Sequence, residues 1–437
     1  MNSKLNKQIL ALAIPNILTN LSVPLLSSVD TAVVGHLDEV YYLGAIAIGS
    51  MIFNFIYWAF GFLRMGTTGL TSQSFGKRDE NEIALNLFRP LLVALVAAII
   101  LISLQYVIAE FSFMIIDASA EVEKHAMEYF YIRIFAAPAT LAIYVFHGWF
   151  LGMQNAKYPM ILLITVNVLN LLFNLIFIYQ FNMTSDGVAL GTVLAQYSGL
   201  LIATILFAKK YKKYLKYFSI AEIFNLSKLR TFYKVNSNIF VRTLALVFVL
   251  SFFTAESAKY GDDILAANTI LLQMWIIISY AVDGFAFAAE SLVGKFIGAK
   301  DFDKLKLLIK YLFVWGLGIG LIFTLIYSIV GEAIITLFTS NKVVIQLALT
   351  FVFWTILSQL VNSVSFIWDG IYIGAIKTKA MRNSMLFSAF AVFLPIYFLT
   401  KDYFGNHSLW FSLTLFMIVR AVSLTLSARK NIFQDNM

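Results

Sequence analysis

One carboxylate lies inside the first apolar segment of the chain, which runs from about Ile9 to Val34. Asp30 follows Pro24 by less than two helical turns in this segment. A charged side chain inside a bilayer costs roughly 2.5–3.5 kcal/mol on insertion scales. A buried carboxyl group can take up and release a proton, and a proline marks a point where a helix can bend. We therefore predict a site for a coupling ion at Asp30 and a helix hinge at Pro24. The alternative is a carboxylate near a helix end that already reaches the outer water.

Three uncharged polar side chains extend this candidate site. Asn170 and Asn174 are four residues apart and share one helix face, and Thr192 lies near the start of the next apolar segment. If successive helices alternate in direction, all three reach the same outer depth as Asp30. Hard cations accept amide and hydroxyl oxygens as ligands, whereas asparagines in membrane helices also join helices by hydrogen bonds. Both interpretations of the asparagines stay open.

A second group of charged residues lies in apolar segments of the other half. Arg242, Asp283 and Asp369 all fall on the inner side of the bilayer when residues are counted along alternating helices. Charges inside a membrane tend to pair with one another. The group is predicted to form either a structural ion pair or a gating network that breaks when the two halves of the protein move.

The composition indicates that most of the chain lies in lipid or in the interior of a helix bundle. Of the 437 residues, 60% are hydrophobic and 13% are charged, and the mean hydropathy is +0.82. A soluble protein would carry roughly 25% charged residues. Runs such as residues 91–100 are continuously apolar, whereas the strands of a barrel would alternate polar and apolar residues. We predict an all-α membrane protein with twelve transmembrane helices, which begin near residues 9, 41, 85, 125, 158, 187, 235, 264, 307, 344, 381 and 405.

Several kinds of chemistry have no residues to carry them. The chain has no cysteine, which excludes disulfides, thiolate metal sites and cysteine nucleophiles. No phosphate loop of the G-x-x-x-x-G-K-S/T type occurs, and none of the four histidines is four residues from another. We therefore expect no cofactor, no metal site and no enzymatic activity. Any transport would be driven by an ion gradient.

The basic residues predict the orientation of the helices. Lysines and arginines are enriched in cytoplasmic loops. Along this chain, loops rich in basic residues alternate with loops that contain few. Both termini are therefore predicted to be cytoplasmic, and the formal net charge of +8 is a topology signal rather than a nucleic-acid surface. The longest basic connection, which contains a short amphipathic segment expected on the inner membrane surface, carries Lys209, Lys210, Lys212, Lys213, Lys216, Lys228, Arg230 and Lys234.

The chain also repeats itself. Gly148 and Gly370 are 222 positions apart, and so are Gly76 and Gly298 within similar local sequences. A membrane protein built from two similar halves usually places its substrate between them and moves one against the other, which indicates a transporter. We predict an N-terminal six-helix lobe at 1–208, a cytoplasmic linker at 209–234 and a C-terminal six-helix lobe at 235–437.

Short motifs in both halves resemble the multidrug and toxic compound extrusion (MATE) family. The sequences IPNIL at 14–18 and SVDTAVVGHL at 28–37 are similar to the first-helix pattern of that family. The residues at 283–286, 289–290 and 369–370 resemble its DinF-like branch. The resemblance covers essentially the whole chain. It implies two pseudo-symmetric six-helix lobes around a central cavity.

The resemblance also bears on the first-lobe site. A cation site in the family matches Asp30, Asn170, Asn174 and Thr192 of this sequence. Well-known members carry a second aspartate where Asn174 stands, and a single carboxylate attracts sodium less strongly. The resemblance therefore favours proton coupling and leaves sodium open. The acidic coupling positions of the NorM-like branch do not map cleanly here, so no such role is assigned to Asp283 or Asp369.

The expected function follows from the resemblance. It implies a secondary antiporter that exports amphipathic, cationic organic compounds or drugs in exchange for protons by alternating access. Such a protein would be a monomer with many spans in the inner (plasma) membrane, in contact with small-molecule substrates and membrane lipids and not with nucleic acid. The alternative is a lipid-linked oligosaccharide flippase of the same superfamily. Flippases often have fourteen helices and a strongly cationic cavity, whereas this chain has twelve predicted helices and few interior arginines.

Overall fold

The computed structural model describes the backbone of residues 3–34, 39–116 and 118–434, and the side chains of these residues other than 22–34, 40 and 434. Every regular element in these ranges is helical, and none of the described residues forms a strand. The reason lies in the solvent. A backbone in lipid must satisfy its own hydrogen bonds, and a helix does so within a single segment.

The first half of the described chain forms nine helices. Two short 3₁₀ turns, Ile134–Ala136 and Lys212–Tyr217, follow α6 and α9. The helices are α1 (Ser3–Val34), α2 (Val40–Ala59), α3 (Phe62–Lys77), α4 (Glu80–Ser103), α5 (Gln105–Ile115), α6 (Ala120–Arg133), α7 (Ala137–Gly152), α8 (Lys157–Tyr179) and α9 (Ser185–Tyr211).

The second half begins with one short turn of helix and continues with longer ones. Stretches of π-helix at Phe387–Phe393 and Arg429–Gln434 extend the last elements. The helices are α10 (Ile220–Ile223), α11 (Leu226–Lys259), α12 (Asp262–Gly298), α13 (Phe302–Phe338), α14 (Lys342–Gly374), α15 (Thr378–Leu386), α16 (Leu394–Phe404) and α17 (His407–Ala428).

The described residues contain 11 helical stretches that are long and apolar enough to cross a membrane. They begin at Tyr41 and end at Phe433. Helix α1 has the length and position of the remaining predicted span, although its second half has no described side chains. The all-α membrane fold predicted from the sequence is confirmed. One span begins earlier than predicted, at Leu226 rather than near residue 235, because a basic stretch continues the helix beyond its apolar part.

The chain divides into two compact units. One comprises Leu18–Thr231, and the other comprises the residues up to Ile17 together with Phe232–Met437. The start of α1 belongs to the second unit because it packs on helices of that half. Trp315 Nε1 donates a hydrogen bond to Asn6 Oδ1 at 3.2 Å, and a Cβ added at Gly284 would lie 2.8 Å from the Ala13 carbonyl oxygen.

The internal repeat is visible in how helices touch within each unit. In the first unit, a Cβ added at Gly148 of α7 would lie 2.3 Å from the Arg64 carbonyl oxygen of α3. In the second unit, a Cβ added at Gly370 of α14 would lie 2.3 Å from the Ala286 carbonyl oxygen of α12. Arg64 and Ala286 are also 222 positions apart. The repeated glycines therefore allow the same close helix–helix approach in both halves.

Replacing either glycine by alanine is expected to lower the melting temperature of the purified protein. Overpacking typically costs about 1–3 kcal/mol, because the new methyl group pushes two helix backbones apart. Gly318→Ala is the matched control. A Cβ there meets nothing within 4 Å, and alanine favours helix over glycine by about 1 kcal/mol. Tryptophan fluorescence on heating measures all three variants. Unchanged melting of both Gly148→Ala and Gly370→Ala would contradict the close approach.

The repeat extends to the turns between helices. Asp79 and Asp301 precede α4 and α13, and each accepts a hydrogen bond from the backbone N–H three residues ahead, at 3.0 and 3.2 Å. The residue before each is left-handed, with φ of 59° at Arg78 and 56° at Lys300. The aspartates are therefore N-caps, which explains why the G-x-x-D pattern recurs in both halves of the sequence.

Candidate functional site

The predicted coupling carboxylate Asp30 and the predicted hinge Pro24 lie in the second half of α1. The α1 backbone is helical as far as Val34, but the side chains of both residues lie outside the described part of the chain. The remainder of the first-lobe site comes from α8 and α9, which pack together in the first unit.

Two members of the predicted site are in direct contact. Asn170 Nδ2 on α8 donates a hydrogen bond to Thr192 Oγ1 on α9 at 3.1 Å. Thr192 Oγ1 in turn donates to the Val188 carbonyl oxygen one turn earlier, at 3.0 Å. The bond between the two side chains joins the helices, as the helix-joining interpretation requires. It also places an amide and a hydroxyl group side by side.

The third member lies on the same helix interface and is more deeply buried. Asn174 is 1% exposed. A Cβ added at Gly191 of α9 would lie 2.4 Å from Asn174 Oδ1, so the absence of a side chain at Gly191 makes room for this carbonyl. The structure therefore brings Asn170, Asn174 and Thr192 to one strip of the α8–α9 contact. Their oxygens are of the type that binds a hard cation or hydrogen-bonds to a protonated carboxyl group.

A positive charge is also held inside the first unit. Arg133 Nη1 donates to Ser50 Oγ at 3.0 Å and to the Tyr129 hydroxyl. Its guanidinium lies over the Phe53 ring, 5.0 Å from the ring centroid. None of the described carboxylates forms an ion pair with it. Hydroxyl oxygens and aromatic faces therefore stabilise this cation. No partner for Arg133 could be identified from the sequence.

Arg133 and Thr192 lie at similar depths in the unit. Ser185 Oγ, at the start of α9, contacts the His125 carbonyl oxygen of α6 at 3.5 Å. Farther along, Gly199 of α9 faces a side chain of α7, the helix that follows α6, so the two segments run in the same direction. Measured along the two helices from the contact between Ser185 and His125, Arg133 is roughly 12 Å away and Thr192 is roughly 11 Å away, at 1.5 Å per helical residue.

The second unit contains a buried cluster of three charges. Asp369 Oδ2 on α14 accepts hydrogen bonds from Arg242 on α11 and, at 2.7 Å, from Arg420 on α17. The three residues are 6%, 7% and 1% exposed, respectively. The sequence analysis placed Arg242 and Asp369 in one group, and in the structure their side chains form an ion pair. Asp283 on α12 is half-buried.

Arg420 is the member that sequence reasoning missed. It lies within the last apolar segment, where an ionisable residue is itself a signal of function or pairing. Its guanidinium stacks over the Phe416 ring at 5.4 Å, and Nη1 lies 3.1 Å from Met417 Sδ. Two guanidinium groups thus share one carboxylate. Because unpaired charges in a dry interior cost several kcal/mol each, the carboxylate is essential to both arginines.

The family profile that matches this chain is MatE, and it matches twice, over residues 15–176 and 239–399. The chain belongs to the MatE family. The two matches reproduce the internal repeat, and together they cover most of the chain. The resemblance to MATE transporters drawn from the sequence is confirmed.

Relatives of the MatE chain support the same assignment. The DNA damage-inducible protein F of Escherichia coli is 36% identical over 436 residues, which cover 98% of this chain and 92% of that protein. This agrees with the DinF-like branch. A probable multidrug resistance protein NorM from Photorhabdus laumondii is 28% identical over 96% of this chain and 94% of its own. The chain is accordingly a transporter with many membrane spans and not an enzyme.

A solved structure has the same fold. The Vibrio cholerae MATE transporter VcmN, in a form described as bent, superposes with a TM-score of 0.87 at 22% identity, over 99% of this chain and 98% of that one. At this identity the likeness concerns the fold alone. It fits the MATE architecture of two lobes with six helices each.

Proposed function

We propose that this MATE transporter exports amphipathic, cationic organic compounds in exchange for protons by alternating access. The observation that carries the proposal is the α8–α9 polar strip, in which Asn170 donates to Thr192 and Asn174 packs against Gly191. These residues supply the uncharged partners that a single protonatable carboxyl group, Asp30, needs when its charge is removed and restored. Names of relatives such as the NorM protein, which refer to multidrug resistance, support the substrate class.

Two features favour protons over sodium. Asn174 provides an amide where well-known family members carry a second aspartate, so the strip itself has no negative charge. Arg133 adds a positive charge at the depth of Thr192, and a fixed cation raises the free energy of a metal ion in the same unit. A proton only neutralises an existing carboxylate and adds no second cation at that depth. Sodium is the competing coupling ion.

The proposed cycle uses the first helix as the moving part. Proton entry from outside neutralises Asp30 and removes its demand for hydrogen-bond donors. Helix α1 then bends at Pro24, the cavity of the first lobe becomes smaller, and bound substrate leaves outward. Release of the proton to the inside restores the starting state. A bent form of the related VcmN transporter is consistent with a hinge of this kind.

We further propose that the protein is a monomer in the inner membrane with both termini in the cytoplasm. Aromatic residues make up 16% of the chain, and each aromatic face attracts a planar cation by roughly 0.5–2 kcal/mol.

The N-terminal lobe is proposed to end, and the C-terminal lobe to begin, at the linker 209–234. No cofactor beyond the coupling ion is proposed.

The test is transport by the purified protein in sealed vesicles with imposed gradients. A fluorescent organic cation should move against its gradient when an inward proton gradient is applied, and not when a sodium gradient is applied at constant pH. If the cation moves when only a sodium gradient is applied, sodium is the coupling ion and the proposal of an antiporter still holds. The flippase alternative is tested in the same vesicles with a labelled lipid-linked oligosaccharide. Transfer of that lipid without movement of the cation would replace the proposed function altogether.

A further inference from the structure

The segment that joins α9 to α11 carries a row of exposed apolar side chains. Leu215, Phe218, Ile220, Phe224 and Leu226 are 52%, 55%, 66%, 56% and 83% exposed, respectively. They lie within twelve consecutive positions, from the last turn of a span that ends at Tyr217 to Leu226, the first residue of the next span. We call these five residues the linker surface. Water is a poor environment for so much contiguous apolar area, so something apolar has to cover it.

The segment that carries the linker surface is attached to the first half of α4. Arg89 donates from Nε and Nη2 to the Glu222 carbonyl oxygen at 3.2 and 3.1 Å. Arg89 also pairs with Glu82 at 3.0 Å, and Lys228 pairs with the same carboxylate at 3.0 Å. Arg89 is 3% exposed, so this anchor is part of the interior. The apolar side chains are held on the outside of a rigid support.

A second anchor lies at the other end of the segment. The Glu80 carboxylate accepts a hydrogen bond from the Tyr217 hydroxyl at 2.9 Å and forms an ion pair with Lys213. Lys216 lies 3.8 Å from the same carboxylate. The carboxylates of α4 thus already balance the lysines nearest to them.

Other lysines beside the linker surface keep their charge uncompensated. Lys209, Lys210 and Lys212 are exposed, and none of them forms an ion pair with a carboxylate of the described chain. Lys210 Nζ lies 5.5 Å from the centroids of two tyrosine rings, which orders its stem without removing its charge. An apolar row bordered by free ammonium groups matches one kind of environment. That environment is a bilayer surface with anionic headgroups.

We propose that the linker surface inserts into the adjoining leaflet and binds anionic phospholipid. The apolar row enters the region between headgroups and acyl chains, and Lys209, Lys210 and Lys212 contact the lipid phosphates. A lysine near an anionic surface contributes about a fivefold preference over a neutral surface. This interaction is independent of the transported substrate and of the coupling ion. It makes the lipid a partner of the segment that links the two halves of the chain.

The absence of cysteine allows a direct test with single spin labels. Phe224→Cys and Lys379→Cys variants of the full chain are labelled with a nitroxide and placed in phosphatidylcholine vesicles with or without phosphatidylglycerol. With phosphatidylglycerol, the label at 224 should become accessible to oxygen and shielded from a water-soluble nickel complex. The label at Lys379, an exposed lysine in the first turn of α15, should stay accessible to nickel.

The charge contribution is tested by removing two lysines. Lys209→Gln with Lys212→Gln should raise the amount of phosphatidylglycerol needed for insertion and weaken its binding by about 25-fold, as two fivefold steps. Lys306→Gln with Lys310→Gln removes the same charge from two exposed positions elsewhere and should have no such effect. A label at 224 that stays in water with phosphatidylglycerol overturns the proposal. Equal insertion in neutral vesicles, or shielding found only in native membranes with a protein bound, overturns it as well.

Discussion

Asp30→Asn is expected to abolish proton-driven export while the protein still folds and inserts. Asparagine keeps the size and hydrogen-bonding groups of the side chain but cannot bind and release a proton, so one arm of the proposed cycle is lost. We expect transport in vesicles to fall at least about tenfold, which corresponds to about 1.4 kcal/mol or more of lost coupling. Asp30→Glu retains the titratable group and should keep part of the activity.

The matched control is Glu39→Gln, which removes a carboxylate from an exposed position shortly after α1. It should transport like the unaltered protein. The melting temperature of Asp30→Asn in detergent separates lost coupling from lost folding. If well-folded Asp30→Asn protein exports the fluorescent organic cation at the normal rate, this residue is not the coupling site. That result would also favour the interpretation of a carboxylate that reaches outer water.

Asp369→Asn is expected to have the largest effect on stability. The substitution leaves Arg242 and Arg420 buried without the carboxylate that both contact. Breaking a buried ion pair by removing one partner typically costs about 3–5 kcal/mol, a large part of the net stability of most proteins. Thermal unfolding in detergent and the yield of monodisperse protein measure the loss.

The control for Asp369→Asn is Asp402→Asn, which removes an exposed carboxylate near the end of α16. A second substitution, Arg420→Met, should restore part of the stability of Asp369→Asn, because it removes one of the two uncompensated charges. If Asp369→Asn instead melts normally and only transport is lost, the cluster is the gating network of the two sequence-based interpretations. Normal melting and normal transport would contradict both interpretations.

The fold was largely predictable because lipid imposes simple rules. A spanning segment of about 20 apolar residues has to be a helix, so the helical type and the approximate positions of the spanning segments followed from hydropathy. The glycine pairs such as Gly148 and Gly370 marked the repeat before the structure gave their reason. That reason is the close contact of each with a carbonyl oxygen of a neighbouring helix.

The sites were predictable only in part. Asn170 and Thr192 could be matched because consecutive helices pack together and residue counting gives their depth, and they are hydrogen-bonded. The same counting grouped Arg242 with Asp369 but did not include Arg420, since depth says nothing about which way a side chain points around its helix. It also gave Arg133 no partner, because Ser50 lies on a helix 83 residues earlier in the sequence.

By itself, the sequence determined that this is a helical membrane protein in two repeated halves. Hydrophobic length is a property of each segment. The spacing of the basic loops and glycines is read along the chain without knowing which helices become neighbours. Only the tertiary structure decided that Arg420 joins Asp369 across 51 residues, and that the linker surface stays exposed above its ion-pair anchors. Such contacts depend on which helices become neighbours and how each is rotated about its axis. That choice is made by packing over the whole bundle.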